Sequence, residues 1–321
     1  MMPVAGLAVV VPLAAAVGLL AWWWRPRRYT DASSVAAAYD RWTDDRLLES
    51  LWGEHIHLGH YGDPPKRADF RAAKATFVHA LVRWSGLDRL PPGSKVLDVG
   101  CGIGGSARIL AREYGFDVLG ITISPAQVER ARQLTPPDLA CHFAVMDALD
   151  LHLPADNFDA VWSVEASPHM PDKQRYVDEL LRVLRPGGRL AVGDWNRRDP
   201  ADGPMTPLEA WVMRQLLVQW AHPEFASIKG LKRHLQSSPH GAPGLQVDTA
   251  DWSQATLPSW IDSILEGVRR PQVFLHHGPR SLLQGLREIP TILLMHWAFS
   301  TGLMAFGVFR ACKPVGKPQE S

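Results

Sequence analysis

An acid and a histidine close an apolar run in VWSVEASPHMPDK, Val161 to Lys173. Glu165 and His169 pack poorly but move protons well, and they stand where a buried strand would end. An imidazole titrates near neutrality and needs little tuning, so His169 is the first candidate for a general base. Glu165 is placed to orient it, to lift its basicity or to contact a cofactor. The plainer alternative is that His169 caps the turn beside Pro171. A second constellation is HIHLGHY, in which His55 and His57 share a face if the segment is extended, with His60 and Tyr61 close behind. His57 is a further catalytic candidate, and His55, His60 and Tyr61 are candidates to bind a substrate hydroxyl. Three histidines invite a zinc reading, but no fourth ligand or carboxylate pattern accompanies them, and no metal is expected.

The stretch DVGCGIGG places Gly100, Gly102 and Gly105 in GxGxxG spacing, a weak signal for a dinucleotide loop when it stands alone. A dinucleotide site expects an acid about 20 residues on, at the end of the second strand, to hold a ribose hydroxyl. GITIS puts Thr122 there instead. Asp98, two residues before the first glycine, suits a ligand with a positive centre and an ammonium group. Gly100, Gly102 and Gly104, with Cys101 among them, let the backbone come close to it. This combination fits S-adenosylmethionine better than a pyrophosphate. Asp147, followed by Ala148, sits at the end of a third strand, where a carboxylate can accept from an adenine amino group. Gln127 is placed to reach ribose hydroxyls that Thr122 cannot fully serve.

These residues need a sheet to hold them. The pattern predicts strands over Lys95–Val99, Val118–Ile121, Cys141–Val145, Phe158–Trp162 and Arg189–Val192, with helices over Ser106–Tyr114, Pro125–Gln133 and Gln174–Leu184 between them. Such alternation implies a parallel sheet with helices on both faces and ligands beyond its carboxyl edge. Two further strands are predicted at Leu245–Asp251 and Leu303–Ala311, separated by a long apolar insertion, Trp252 to Gly302. In it Leu282, Leu286, Ile289 and Leu293 recur at helical spacing, which suits a core-facing helix, a helix dipping into a bilayer or one lining a greasy pocket. Pro290 is expected to kink or split that helix. Ahead of the sheet, Ser33 or Ser34 is expected to cap a helix, and Tyr39 and Trp42 to form part of a lid over the methionine end.

The chain has 321 residues, 46% hydrophobic and 21% charged, an ordinary globular balance. With 34 basic residues against 33 acidic ones, no global field gathers DNA or RNA, and a nucleic-acid partner is not expected. Cys101, Cys141 and Cys312 are odd in number and far apart, against a disulfide framework. Val4 to Trp24 is uncharged and apolar for about the ~20 residues that span a bilayer. WWWRPRR follows, with Arg25, Arg27 and Arg28 after the apolar run, the charge order of an anchor and not of a cleaved signal. The expectation is a chain held in the membrane by one N-terminal helix, its catalytic part on the cytoplasmic side. The expected units are an anchor at 1–28, a helical lid at 29–90, a cofactor-binding core at 91–195, and at 196–321 a substrate cap with the remaining strands.

Taken together, VLDVGCGIGGSARIL, GITISPAQV, VEASPHMPDK and LRVLRPGG resemble the tocopherol and prenylquinol C-methyltransferases. YDRWTDD, WGEHIHLGHYGDPP, ADWSQATLPSW and EIPTILLMHWAF support a narrower resemblance to the cyanobacterial branch that acts on 2-methyl-6-phytyl-1,4-benzoquinol. The resemblance implies a class I S-adenosylmethionine-dependent methyltransferase fold, α/β and Rossmann-like, with a seven-stranded sheet whose last strand is antiparallel. It also implies methyl transfer to a ring carbon of a prenylated hydroquinone on the route to tocopherols and, with a solanesyl tail, plastoquinone. The implied partners are that quinol and membrane lipid, with no obligate protein partner. Ser167 departs from the glycine of many relatives, which would strain a backbone needing positive φ there. Trp252, Trp260 and Trp297 are candidates to line the prenyl tail. The rival functions are methylation of another lipophilic acceptor such as γ-tocopherol, a sterol or an amine, an NAD-dependent oxidoreductase, and a catalytically silent scaffold.

Overall fold

The structure, a computed structural model, describes residues 29–241 and 244–315. Strands β1 (Lys95–Val99), β2 (Asp117–Thr122), β3 (Cys141–Val145), β4 (Phe158–Val164), β5 (Leu184–Arg197), β6 (Val247–Asp251) and β7 (Met304–Cys312) form one sheet in the order β3-β2-β1-β4-β5-β7-β6. β7 runs antiparallel to both β5 and β6, and the other neighbours pair in parallel. The order reverses at β1, which lies between β2 and β4, so a crevice opens at the carboxyl ends of these strands.

Alternation along the strands builds two cores. Val96, Ala160, Trp162 and Ala191 face one side and join Phe77, Val78 and Leu81 of α3 (Phe70–Ser85) and Leu110 of α4 (Gly105–Tyr114). Leu97, Val99, Val161, Leu190 and Val192 face the other and meet Tyr176, Val177 and Leu180. Those three belong to α6 (Lys173–Val183), while α5 (Pro125–Leu134) lies between β2 and β3. Because both faces are covered, the central strands read as unbroken apolar runs. Burying a side chain of this size contributes about 2 kcal/mol.

β5 is much longer than its predicted Arg189–Val192, because β7 pairs with it from Arg189 opposite Cys312 to Arg197 opposite Met304. Two helices precede the core, α1 (Ala32–Asp44) and α2 (Leu47–Trp52). α1 starts before Ser33 and Ser34, so neither is its cap; the Ser33 hydroxyl donates to Asp31 at 2.6 Å. After β5 come α7 (Pro207–Gln219) and α8 (Ile228–Ser237), and the insertion folds as α9 (Ser253–Thr256), α10 (Pro258–Arg269), α11 (Pro271–His277) and α12 (Pro279–Ser300). Pro290 does not split α12, which runs continuously through it.

The expected membrane anchor over residues 1–28 lies outside the described residues. Among the described residues no helix is long and apolar enough to cross a membrane. The assignment to a chain held in the membrane by a single N-terminal helix, and the cytoplasmic placement built on it, is therefore withdrawn. The α12 stripe does not serve as a span either; it turns toward the cavity described next.

Candidate active site

A cavity of about 640 Å³ opens at the switch point. Its floor is the loop between β1 and α4, where the Gly100 and Cys101 N–H groups both donate to the Ile121 carbonyl, at 2.9 and 3.0 Å. Gly100, Gly102 and Gly104 all have positive φ, but they do different work. A Cβ on Gly100 would sit 2.7 Å from the Ala166 Cβ, and one on Gly104 2.5 Å from the Phe143 ring. Only Gly102 of the three has open space where a Cβ would stand; at Gly100, which also lines the cavity, and at Gly104 the missing Cβ makes room for neighbouring protein.

Asp98 of β1 lines this end, is 2% exposed, and keeps its Oδ2 without a hydrogen-bond partner. Burial pushes its carboxyl up to about 7. A buried acceptor left unpaired is costly, which marks Asp98 as built for a ligand that donates or carries positive charge. Thr122 and Gln127 both line the cavity, and the Thr122 hydroxyl donates to Gln127 Oε1 at 2.7 Å. With that bond fixing the amide, the Gln127 N–H groups are left to donate to a ligand. Asp147 follows β3 in a loop, where its Oδ1 accepts from the Leu149 N–H at 2.9 Å; Cys101 and Ala148 line the cavity with it. α1 closes over this end, since Asp40 accepts from the Ser124 hydroxyl at 2.5 Å and from the Ala126 N–H at 3.3 Å at the start of α5.

The proton-handling end centres on His169, in a short 3-10 turn, Ser167–His169. Its Nε2 shares a 2.7 Å hydrogen bond with the Tyr39 hydroxyl, and its Nδ1 has no partner. Tyr39 is thus a direct partner of the histidine, beyond the lid role expected for it, and Trp42 packs edge-on against it with ring centres 5.5 Å apart. The His222 ring lies 4.4 Å from that of His169. Burial, and then the Lys173 ammonium, push His169 down to about 3, so the expectation of an imidazole titrating near neutrality is corrected. The ring is neutral at any working pH. Glu165 does not hold His169. It has φ 55, accepts from the Leu58 N–H at 2.7 Å, and is raised to about 8 by burial and then by Asp194. The backbone strain expected at Ser167 is absent there and falls on Glu165.

The histidine loop divides. His57 Nδ1 lies 2.8 Å from the Leu58 carbonyl and must carry the proton, because a carbonyl only accepts. Its Nε2 is then the acceptor shared by His55 Nδ1 at 3.2 Å and the Ser106 hydroxyl at 3.3 Å. Burial holds His57 down at about 4 and His55 well below its usual range. His57 lines the cavity with both nitrogens committed, so it joins the loop to α4 and is not a free base. His60 and Tyr61 leave the cavity altogether. His60 accepts from the Gly62 N–H and packs on Trp252, while the Tyr61 hydroxyl donates to Asp262 at 2.8 Å. The shared face predicted for an extended HIHLGHY ends at His57, because the chain there turns to meet α3 and α9.

The far end is apolar. Leu282, Leu286 and Ile289 of α12 line it, with Trp260 of α10 and Phe274 of α11. Leu293 is exposed and does not take part, Trp252 packs on Phe77 and Trp84, and Trp297 packs on the core. Of the three tryptophans expected at a tail, only Trp260 is there.

A family profile described as a methyltransferase domain matches residues 97–192, the segment from β1 to β5. The chain is 54% identical to the 2-methyl-6-phytyl-1,4-hydroquinone methyltransferase of Synechocystis, over 98% of this chain and 96% of that one. The chain belongs to the tocopherol and prenylquinol methyltransferase family. It is 33% identical to a chloroplastic tocopherol O-methyltransferase of Arabidopsis thaliana, over 84% of this chain and 79% of that one. The fold is shared more widely: the S-adenosyl-L-methionine complex of a Haemonchus contortus phosphoethanolamine N-methyltransferase superposes with a TM-score of 0.69 at 18% identity, over 86% of this chain and 60% of that one.

As a member of this family the chain is an S-adenosylmethionine-dependent methyltransferase, and its residues fit that group. The orphaned Asp98 oxygen, the open face of Gly102 and the Thr122–Gln127 pair form one wall of the cavity. Several residues of the methyltransferase site escaped the sequence reading. His222 comes from an irregular segment after α7 and carries no local signal, and Trp195, on β5, reads as an ordinary core aromatic. Asp194, which does not line the cavity but accepts from the Ser167 N–H behind it, did carry one, since GDW places an acid toward the carboxyl end of β5 much as LDV places Asp98 on β1. Lys74 is buried beneath the cavity, donating to the His55 carbonyl at 2.6 Å over the Phe70 ring.

Proposed function

We propose that the chain transfers a methyl group from S-adenosylmethionine to a ring carbon of 2-methyl-6-phytyl-1,4-benzoquinol, with the solanesyl analogue as a second acceptor. One observation carries this reading: a single cavity joins the glycine loop and Asp98 to the apolar walls of the insertion, with His169 and Glu165 also lining it. The name of the Synechocystis relative supports the same acceptor.

Bound S-adenosylmethionine supplies an electrophilic methyl on a positively charged sulfur. Asp98 would accept from its ammonium, Asp147 from the adenine amino group, and Gln127 would donate to the ribose. α1 closes over this end of the cavity and keeps water out, which would strengthen the attraction between a sulfonium and an electron-rich ring. His169 acts in its neutral form. With Nε2–H donating to the Tyr39 oxygen, Nδ1 accepts the quinol hydroxyl proton in a hydrogen bond and pushes electron density into the ring. The methyl would pass to that ring carbon with the neutral thioether as leaving group. In its ionised form Glu165, which lines the same cavity, would take the proton from that carbon.

Incubation with labelled cofactor and 2-methyl-6-phytylbenzoquinol, followed by mass spectrometry of the ring, tests the reading. Label on a ring carbon is expected. Turnover on γ-tocopherol with none on the benzoquinol would overturn it.

The tail end makes a separate prediction. Phe274 lies between α10 and α12 at two glycines: a Cβ on Gly267 would stand 3.5 Å from its ring and one on Gly285 3.1 Å. Gly285→Val drives the ring into the cavity, and overpacking of this kind costs roughly 1 to 3 kcal/mol. KM for the phytyl acceptor is expected to rise about tenfold or more, with little change for a benzoquinol bearing a short tail. Equal effects on both would remove Phe274 from the tail path.

A further inference from the structure

The turn that carries His169 is gripped from both sides by buried charges. The Lys173 ammonium donates to the Ser167 carbonyl at 2.5 Å and to the Met170 carbonyl at 2.6 Å. Asp194, on β5, accepts from the Ser167 N–H at 3.1 Å and from the Trp195 N–H at 3.2 Å. Ser167 thus has its N–H held by one charge and its carbonyl by the other, two residues before His169. Asp194 is fully buried and Lys173 is 8% exposed.

Stability alone does not account for these charges. Taking an ammonium and a carboxylate out of water costs several kcal/mol each, and apolar residues of similar size often serve the fold as well or better. Lys173 also opens α6, with Asp172 as its N-cap, where the helix dipole disfavours positive charge. A lysine in that place acts on what its ammonium reaches, and it reaches the two carbonyls that bracket His169.

We propose that Lys173 and Asp194 are positioning residues that lock the Ser167–Met170 turn and so present the His169 ring to the acceptor. The proposal rests on the reading of His169 given above. The carbonyl contacts set where the ring sits. The ammonium charge adds a second effect, since it is felt by His169 and by His222 and opposes protonation of both.

The test compares wild type with Lys173→Met, Asp194→Asn and the double variant in the full chain. Each single variant is expected to melt at a lower temperature and to lose about 10- to 100-fold in kcat, with the S-adenosylmethionine dissociation constant within about threefold. The double variant removes both charges, so its melting temperature should recover while kcat stays low. Recovery of kcat together with stability would reduce the pair to a structural role and overturn the proposal. Nitrogen-15 spectra of the His169 ring provide an independent reading. Lys173→Met should shift its resonances, and unchanged resonances would overturn the clamp even if kcat fell. If His169→Ala keeps its turnover, the role of His169 fails, while the ring resonances still decide whether the clamp exists.

Discussion

His169→Ala is expected to lower kcat by two to four orders of magnitude while leaving the affinity for S-adenosylmethionine within about threefold, the range for removal of a proton-handling side chain. The ring meets Tyr39 and His222 and not the glycine loop, so its loss should not reach the cofactor. Tyr39→Phe removes only the hydroxyl that holds Nε2, and a smaller loss, about tenfold, should follow. Because burial holds His169 down at about 3, its own titration contributes nothing to the rate profile above pH 5. Glu165, held near 8 by burial, and Asp98, near 7, both ionise over this range, so with saturating cofactor Glu165→Gln should remove the acid limb of kcat and leave that of cofactor binding to Asp98. Turnover of His169→Ala within tenfold of wild type, measured with saturating quinol, would remove the histidine from the chemistry.

Asp98→Asn is expected to act with opposite signs on stability and on binding. The carboxylate it removes is buried with one oxygen unpaired, so the substitution should raise the melting temperature of the ligand-free protein. It should also weaken S-adenosylmethionine binding by about 10- to 100-fold, since a hydrogen bond to a charged group contributes roughly 1.5 to 3 kcal/mol. The pH dependence follows from the same burial. Asp98 is raised from 3.8 to about 7 in the folded chain, so its contribution to stability is complete below pH 3.8 and is lost as pH rises through 7. A cofactor that needs the ionised form binds better over the same rise. The melting-temperature increase caused by S-adenosylmethionine should therefore be larger at pH 8 than at pH 6, and the difference should vanish in Asp98→Asn. Differential scanning fluorimetry at the two pH values decides it; an equal increase in wild type would take Asp98 out of the cofactor site.

The central strands β1 and β4 were legible because they are covered on both faces and read as apolar runs, and the edge strand β3 by its alternation of buried and exposed residues. β1 and β3 fall where the pattern placed them, and β2 and β4 differ only at their ends. The length of β5 was not legible, because its extension depends on β7, more than a hundred residues later. The glycines of the loop were legible as a set, but which of them make room for neighbouring protein depends on Ala166 and Phe143, brought in from other parts of the chain. In HIHLGHY, residue type suggested one cluster, whereas the hydrogen bonds of His60 and Tyr61 to distant segments pull them away from His55 and His57.

By itself the sequence determined the reaction class. Asp98 before a glycine loop, Thr122 where a dinucleotide site needs an acid, and an acid and a histidine after the fourth strand are local patterns, because a strand, its turn and the next helix are contiguous in the chain. Only the tertiary structure decided protonation and partnership. Whether His169 is charged, whether Glu165 supports it, and which histidine is free depend on burial and on groups from α1, α6 and β5, and desolvation is a property of the assembled site that no single stretch of residues contains.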